Sequence, residues 1–161
     1  MESISMGDSI AGGFEELVFR SRALLGAHRY HDVIALLDPI RHAPDTQSSI
    51  EEFEKLELLG RAFYETRRYS EASDSIEKAG LIRPISPSSR IRLASCYSKL
   101  GRQDLARELF LQVTLSTELP AALIVDVSRG LREVRAVRLA SQVCERALRS
   151  TRENPLILFE L

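Results

Sequence analysis

The sequence predicts an all-α solenoid of about four antiparallel helix hairpins, followed by a short C-terminal helix. Three observations predict it: an offset of 34 residues maps the chain onto itself, small residues stand at fixed places of each repeat, and helix-start signals fall in phase with both. Self-similarity at a fixed period of this size marks stacked supersecondary units.

The first observation is clearest in the middle of the chain. Residues 61–72 align with 95–106: an aromatic (Phe63, Tyr97), a tight turn, then an alanine early in a second helix (Ala72, Ala106). The same offset carries on to Leu131 and Ala140, and backwards to Leu24 and Val33 if about five residues are inserted near Pro44–Ser48. Four units follow, near 14–47, 53–86, 87–120 and 121–154. Residues 1–13, rich in Ser, Asp and Gly, read as a flexible tail, and 155–161 as the start of a capping or further repeat helix.

Small residues are the second observation. The eighth place of the units holds Ser21, Gly60, Ala94 and Ser128, and the twentieth holds Val33, Ala72, Ala106 and Ala140. Two helices that pack antiparallel at close range need small residues where their backbones approach, with bulky apolar neighbours to fill the space. The predicted core is Leu17, Leu24, Leu37, Leu56, Leu59, Phe63, Tyr69, Ile76, Leu93, Tyr97, Phe110, Ile124, Val127, Leu131 and Cys144. Turns are expected near Ala27, Arg67, Gly101 and Arg135.

Helix starts supply the third. Ser86-Pro87 is an N-cap with proline at the first helical position. Ser48 with Glu51, or Ser49 with Glu52, forms a capping box. Asn154-Pro155 starts a further helix with Leu158 and Leu161 inward.

Composition narrows the function classes. A hydrophobic content of 44% is ample for a core, and a charged fraction of 28% argues against a disordered chain. The net charge of −1 gives no global pull toward nucleic acid or anionic membrane. No apolar run approaches the ~18 residues a membrane helix needs, and the N-terminus lacks a secretory signal pattern. The two cysteines, Cys96 and Cys144, lie far apart in apolar patterns and read as small core residues in a reducing, cytoplasmic setting. His28 and His31 straddle a turn and a helix start without a nearby cysteine, so no metal site is expected. Phosphate loops and catalytic triads are absent, and the adjacent acids Glu15-Glu16 and Glu51-Glu52 suit helix starts better than acid/base work. The expectation is a non-enzymatic chain with no cofactor.

A 34-residue helix-turn-helix with small residues at the eighth and twentieth places, an aromatic at the eleventh and a proline near the end resembles the tetratricopeptide repeat. Gly60, Phe63, Tyr69, Ala72, Ala79 and Pro84 fit that pattern best. Ala94, Tyr97, Gly101, Ala106 and Phe110 follow. The chain departs at the fourth place, where the usual tryptophan is Leu17, Leu56, Arg90 and Ile124. The fourth unit also lacks the aromatic and the turn glycine.

The resemblance implies a right-handed superhelix and a protein-binding scaffold whose concave groove is lined by the first helix of each unit. The lining would be Val18, Arg22 and Leu25; Arg61 and Tyr64, beside Glu57; Ile91, Arg92, Ser95 and Ser98; and Val125, Arg129 and Arg132. Arginine recurs at the ninth place as Arg22, Arg61 and Arg129. A row of guanidiniums suits an acidic peptide or a C-terminal carboxylate; the same arginines read more readily as ordinary helix-surface residues, some paired to Glu57, Glu65 or Glu133. Val18 and Arg22 occupy places where some family members clamp a carboxylate with lysine and asparagine, so that clamp is not matched. The expected partner is a protein, with neither nucleic acid nor membrane. A homodimer through the apolar 155–161 segment is the alternative, and RNA binding by a helical repeat ranks below both.

Overall fold

The computed structural model describes residues 8–40, 48–116 and 119–150. Eight α-helices and no strand occur among them: α1 (Asp8–Gly26), α2 (Tyr30–Leu37), α3 (Ser49–Glu65), α4 (Tyr69–Ile82), α5 (Pro87–Lys99), α6 (Gln103–Ser116), α7 (Ala121–Glu133) and α8 (Val137–Ser150). They form antiparallel hairpins with turns where the sequence places them. Two compact units result, Met1–Pro84 and Ile85–Leu161.

Each hairpin turn is closed the same way. His28, Arg67, Gly101 and Arg135 adopt left-handed backbone, with φ of 57°, 62°, 80° and 58°. In each, the next N–H reaches back five residues: Arg29 N to Leu24 O, Arg68 N to Phe63 O, Arg102 N to Tyr97 O and Ala136 N to Leu131 O, at 2.8–2.9 Å. This is the Schellman closure, which satisfies carbonyls that the helix end leaves open.

In the first unit, α3 packs on α4, and α2 on α3. Val33, Leu37, Leu56, Leu59, Phe63, Ala72, Ile76 and Ala79 are buried, each large one contributing roughly 1.5–3 kcal/mol. Gly60 is required by the close approach: a Cβ there would lie 2.6 Å from Ile76 Cγ1. The capping box chosen is Ser48 with Glu51. Lys55 is wholly buried; its Nζ donates to Ile40 O (3.0 Å) and pairs with Glu52, fastening α3 to the end of the first hairpin. A buried ammonium without such partners would be strongly destabilising.

In the second unit, α5 packs on α6, α7 on α8, and α7 also meets α5 and α6. Phe110, Val113, Val127, Leu131, Val134 and Ala140 form one buried cluster with Ile91, Ala94 and Ala106. Ser86 caps α5, accepting from Ser89 N, with Pro87 at the first turn. Cys144 donates its thiol to Ser128 Oγ at 3.2 Å. Both cysteines are free and buried.

Several expectations are corrected. Helix α1 begins at Asp8, inside the stretch expected to be a tail. Helix α2 stops at Leu37, and Asp38–Ile40 forms a 3-10 turn, because Pro39 cannot continue an α-helix. Of the predicted core, Leu17, Leu24, Tyr69 and Tyr97 are only half-buried. The Asn154-Pro155 helix start and the 155–161 segment lie outside the described residues.

Candidate functional site

The residues expected to line a groove divide into two groups. The apolar ones, Val18, Leu25, Ile91 and Val125, are buried. They belong to the core and do not stand open as pockets. Their spacing could not reveal this, because the faces of a first helix lie close together in angle and a β-branched or leucine side chain serves either side.

The polar ones, except Ser98, remain at least partly accessible. In the first unit, Arg22 is exposed and its Nη2 donates to Glu54 Oε1 at 3.2 Å. Arg22 stands at the ninth place of its hairpin and Glu54 at the second place of the next, so the two places do share one side. Arg61 is half-buried, and its Nε is shielded from water without a hydrogen-bond acceptor among the described residues. Tyr64, also half-buried, meets Tyr69 edge-on with ring centroids 6.0 Å apart.

The second unit repeats the arrangement. Arg92 and Ser95 are half-buried, and Arg129 and Arg132 are exposed. Lys99 Nζ donates to Glu133 Oε2 at 2.9 Å, joining thirteenth places of adjacent hairpins. Arg92 also lies near Cys96, whose thiol burial pushes up to about 12 despite the opposing pull of that guanidinium. Ser98 is buried.

Glu133, read from the sequence as a pair for an arginine, accepts from Lys99, and Glu54 escaped that reading. Glu54 and Glu133 stand in the same stripe as the arginines and neutralise part of it. The signal was available: on a helix the second and thirteenth places fall on the same side as the ninth. Among the described residues no three His, Cys, Asp or Glu side chains are grouped to hold a metal ion, and no helix is long and apolar enough to cross a membrane.

No family model and no curated protein matches the chain. Solved structures do. The chain is similar to a point mutant of MamA (TM-score 0.67, 16% identity, 95% of this chain and 85% of that one). It is also similar to the TPR-like repeats of a Podosopora anserina putative kinesin light chain (TM-score 0.70, 19% identity, 91% and 81%). A further MamA crystal structure gives a TM-score of 0.66 at 16% identity, covering 88% and 75%. The fold is an all-α helical repeat of the tetratricopeptide type.

Proposed function

We propose that the chain is a non-enzymatic protein-interaction repeat that takes an acidic segment of a partner on the first-helix faces of its hairpins. The observation that carries this reading is Arg61. Arg61 stands half-buried on the same stripe as the exposed Arg22, and guanidiniums so placed offer a partner's carboxylate charge-assisted bonds. Arg22 and Tyr64 flank it in the first unit; Arg92, Ser95, Arg129 and Arg132 offer an equivalent face in the second. The fold has already fixed the helix backbones that carry these arginines, so binding has only their side chains to order. The likeness to repeat structures supports a scaffold, and the arginines supply the chemistry of its partner.

The test is capture of partner proteins from the source cell by the tagged full chain and by its Arg61→Glu variant, with circular dichroism on both. The variant is expected to keep the helical signal and lose the captured proteins, because charge reversal adds repulsion to the lost hydrogen bond. Equal capture by both chains would defeat the reading.

A further inference from the structure

The hairpin turns differ in how they treat their arginines. In the first two hairpins the nineteenth place is an acid that holds the arginine of the sixteenth. Arg29 pairs with Asp32, and Arg68 Nε donates to Glu71 Oε1 at 2.9 Å. In the last two hairpins the nineteenth place is leucine, Leu105 and Leu139. Arg102, at the sixteenth place of the third, lies over the Tyr97 ring, 5.7 Å from its centroid, and makes no ion pair among the described residues. Leu105 stands in the carboxylate's place and is 46% exposed.

The two turns of the second unit lie side by side, since Lys99 Nζ donates to Glu133 Oε2 across them at 2.9 Å. Leu100 (40% exposed) and Val137 (57%) join Leu105 at this end. Arg135 and Arg138 are exposed beside them and, like Arg102, make no ion pair among the described residues. From the thirteenth to the nineteenth place, residues 99–105 and 133–139 carry four basic and two acidic side chains, net +2, and Lys99 already takes one of the acids. The matching residues of the first unit, 26–32 and 65–71, carry three and three, net 0, and none of their large apolar side chains is exposed.

Exposed aliphatic groups favour leaving water, but the guanidiniums around them make burial against a purely apolar face costly. A lipid surface with acidic headgroups meets both demands, because apolar area and basic charge bind it together. Turn tips reach such a plane without any helix having to move. A nucleic-acid strand suits this end less well, because it binds by stacking on aromatic rings, and Tyr97 is half-buried under Arg102. The chain's net charge of −1 does not oppose attraction, which acts over a Debye length of about 10 Å and so follows the local charge.

We propose that the turn end of the second unit is a docking surface for an anionic lipid bilayer, in which Leu100, Leu105 and Val137 enter the headgroup layer and Arg102, Arg135 and Arg138 bind the acidic headgroups. This surface lies on the turns, separate from the arginine face around Arg61, and does not depend on it.

The full chain is sedimented with vesicles of phosphatidylcholine carrying about 30% phosphatidylserine, and with vesicles of phosphatidylcholine alone. It should bind the anionic vesicles at least tenfold more strongly, each basic residue near such a surface being worth about fivefold. Leu105→Glu gives the third hairpin the acid that the first two carry, so the fold accommodates it. That variant should melt with the parent and bind at least tenfold more weakly. Val137→Gln leaves the charge unchanged and should weaken binding about threefold, which separates apolar insertion from attraction alone. Arg146→Glu with Arg149→Glu alters the charge toward the far end of α8, up to ~18 Å away at 1.5 Å per residue, and should weaken binding less than Leu105→Glu does. Absence of binding to anionic vesicles at about 1 mM lipid overturns the proposal, as does binding indifferent to Leu105→Glu and Val137→Gln. So does displacement from the vesicles by a single-stranded oligonucleotide or by polyglutamate that binds Val137→Gln as tightly as the parent, since the basic turns then belong to another polyanion.

Discussion

The two units fill the same kind of helix contact with a glycine at different places. In the first, Gly60 stands at the eighth place of its hairpin and faces Ile76 of the same hairpin. In the second, Gly130 stands at the tenth and faces Phe110 of the preceding hairpin. The glycine follows the bulk it must admit. An isoleucine pressing within a hairpin calls for relief at the eighth place, and a phenylalanine reaching between hairpins calls for it at the tenth, where Ser128 and Cys144 already share the eighth-place contact. A repeat defined by small residues is thus a rule about pairs of side chains, and either member can move.

Gly130→Ala should break this arrangement most severely. The added Cβ meets a rigid ring with contacts of 2.1, 2.5 and 2.6 Å, and no rotation of Phe110 about its own axis clears all three. Overpacking of this kind costs about 1–3 kcal/mol, even after alanine returns up to ~1 kcal/mol of helix propensity. Thermal melts of Gly130→Ala should fall by several degrees, and adding Phe110→Leu should recover most of the loss. Gly60→Ala should be milder, costing about 1 kcal/mol, because only one atom, Ile76 Cγ1 at 2.6 Å, lies within 3.0 Å of the added Cβ, although the branched side chain is held at χ1 in its helix and cannot turn away cheaply. If the two variants melt alike, the difference between the two contacts is not energetic.

The repeat period, the helix order and all four turns were legible because they rest on local chemistry: capping serines, prolines at helix starts and the 34-residue return of alanines. What stayed hidden depends on which face a helix turns. Val18 and Val125 go inward and Phe19 outward by a rotation of one position, which periodicity alone leaves open. Gly130 escaped because the reading sought small residues at the eighth and twentieth places and not at the tenth. The charge was misleading in sum. Residues 1–84 carry 10 basic and 15 acidic side chains, net −5, whereas 85–161 carry 12 and 8, net +4. The near-neutral total conceals two oppositely charged halves.

Cys96 probes the tenth place from another side. It shares that place with Gly130 and is wholly buried. Burial raises its thiol from 9.0 to about 12, with Arg92 opposing weakly. The folded chain therefore holds that proton more tightly than the unfolded chain does. The stabilisation is complete below pH 9 and is lost as the pH rises from there toward about 12. Comparing urea midpoints at pH 8 and 9.5, the parent should lose about 1 kcal/mol more than Cys96→Ala over that interval. Equal losses would mean that water reaches the thiol and that the tenth place is less closed in this hairpin than in the fourth.

The smallest effects should come from the turns, where the units again differ by a glycine. Gly101 adopts φ of 80° without strain, but Arg67 and Arg135 hold side chains in left-handed backbone at 62° and 58°. A Cβ in that region crowds the following carbonyl and costs roughly 1 kcal/mol. The hydrogen bonds are otherwise matched: Gly101 N donates to Ser98 O at 3.1 Å, Arg67 N to Tyr64 O and Arg135 N to Arg132 O at 3.0 Å. Gly101→Ala should then destabilise by about 1 kcal/mol. Arg135→Gly should stabilise by less, because glycine also widens the unfolded ensemble. Arg67→Gly should behave like Arg135→Gly, since the neighbouring Arg68, which stacks 4.5 Å from the Phe63 ring centroid, is untouched. Chemical denaturation of the three variants reads all of this directly. A Gly101→Ala chain as stable as the parent, alongside an Arg135→Gly chain that is weaker, would show that the arginine side chains contribute more to these turns than the left-handed backbone costs them.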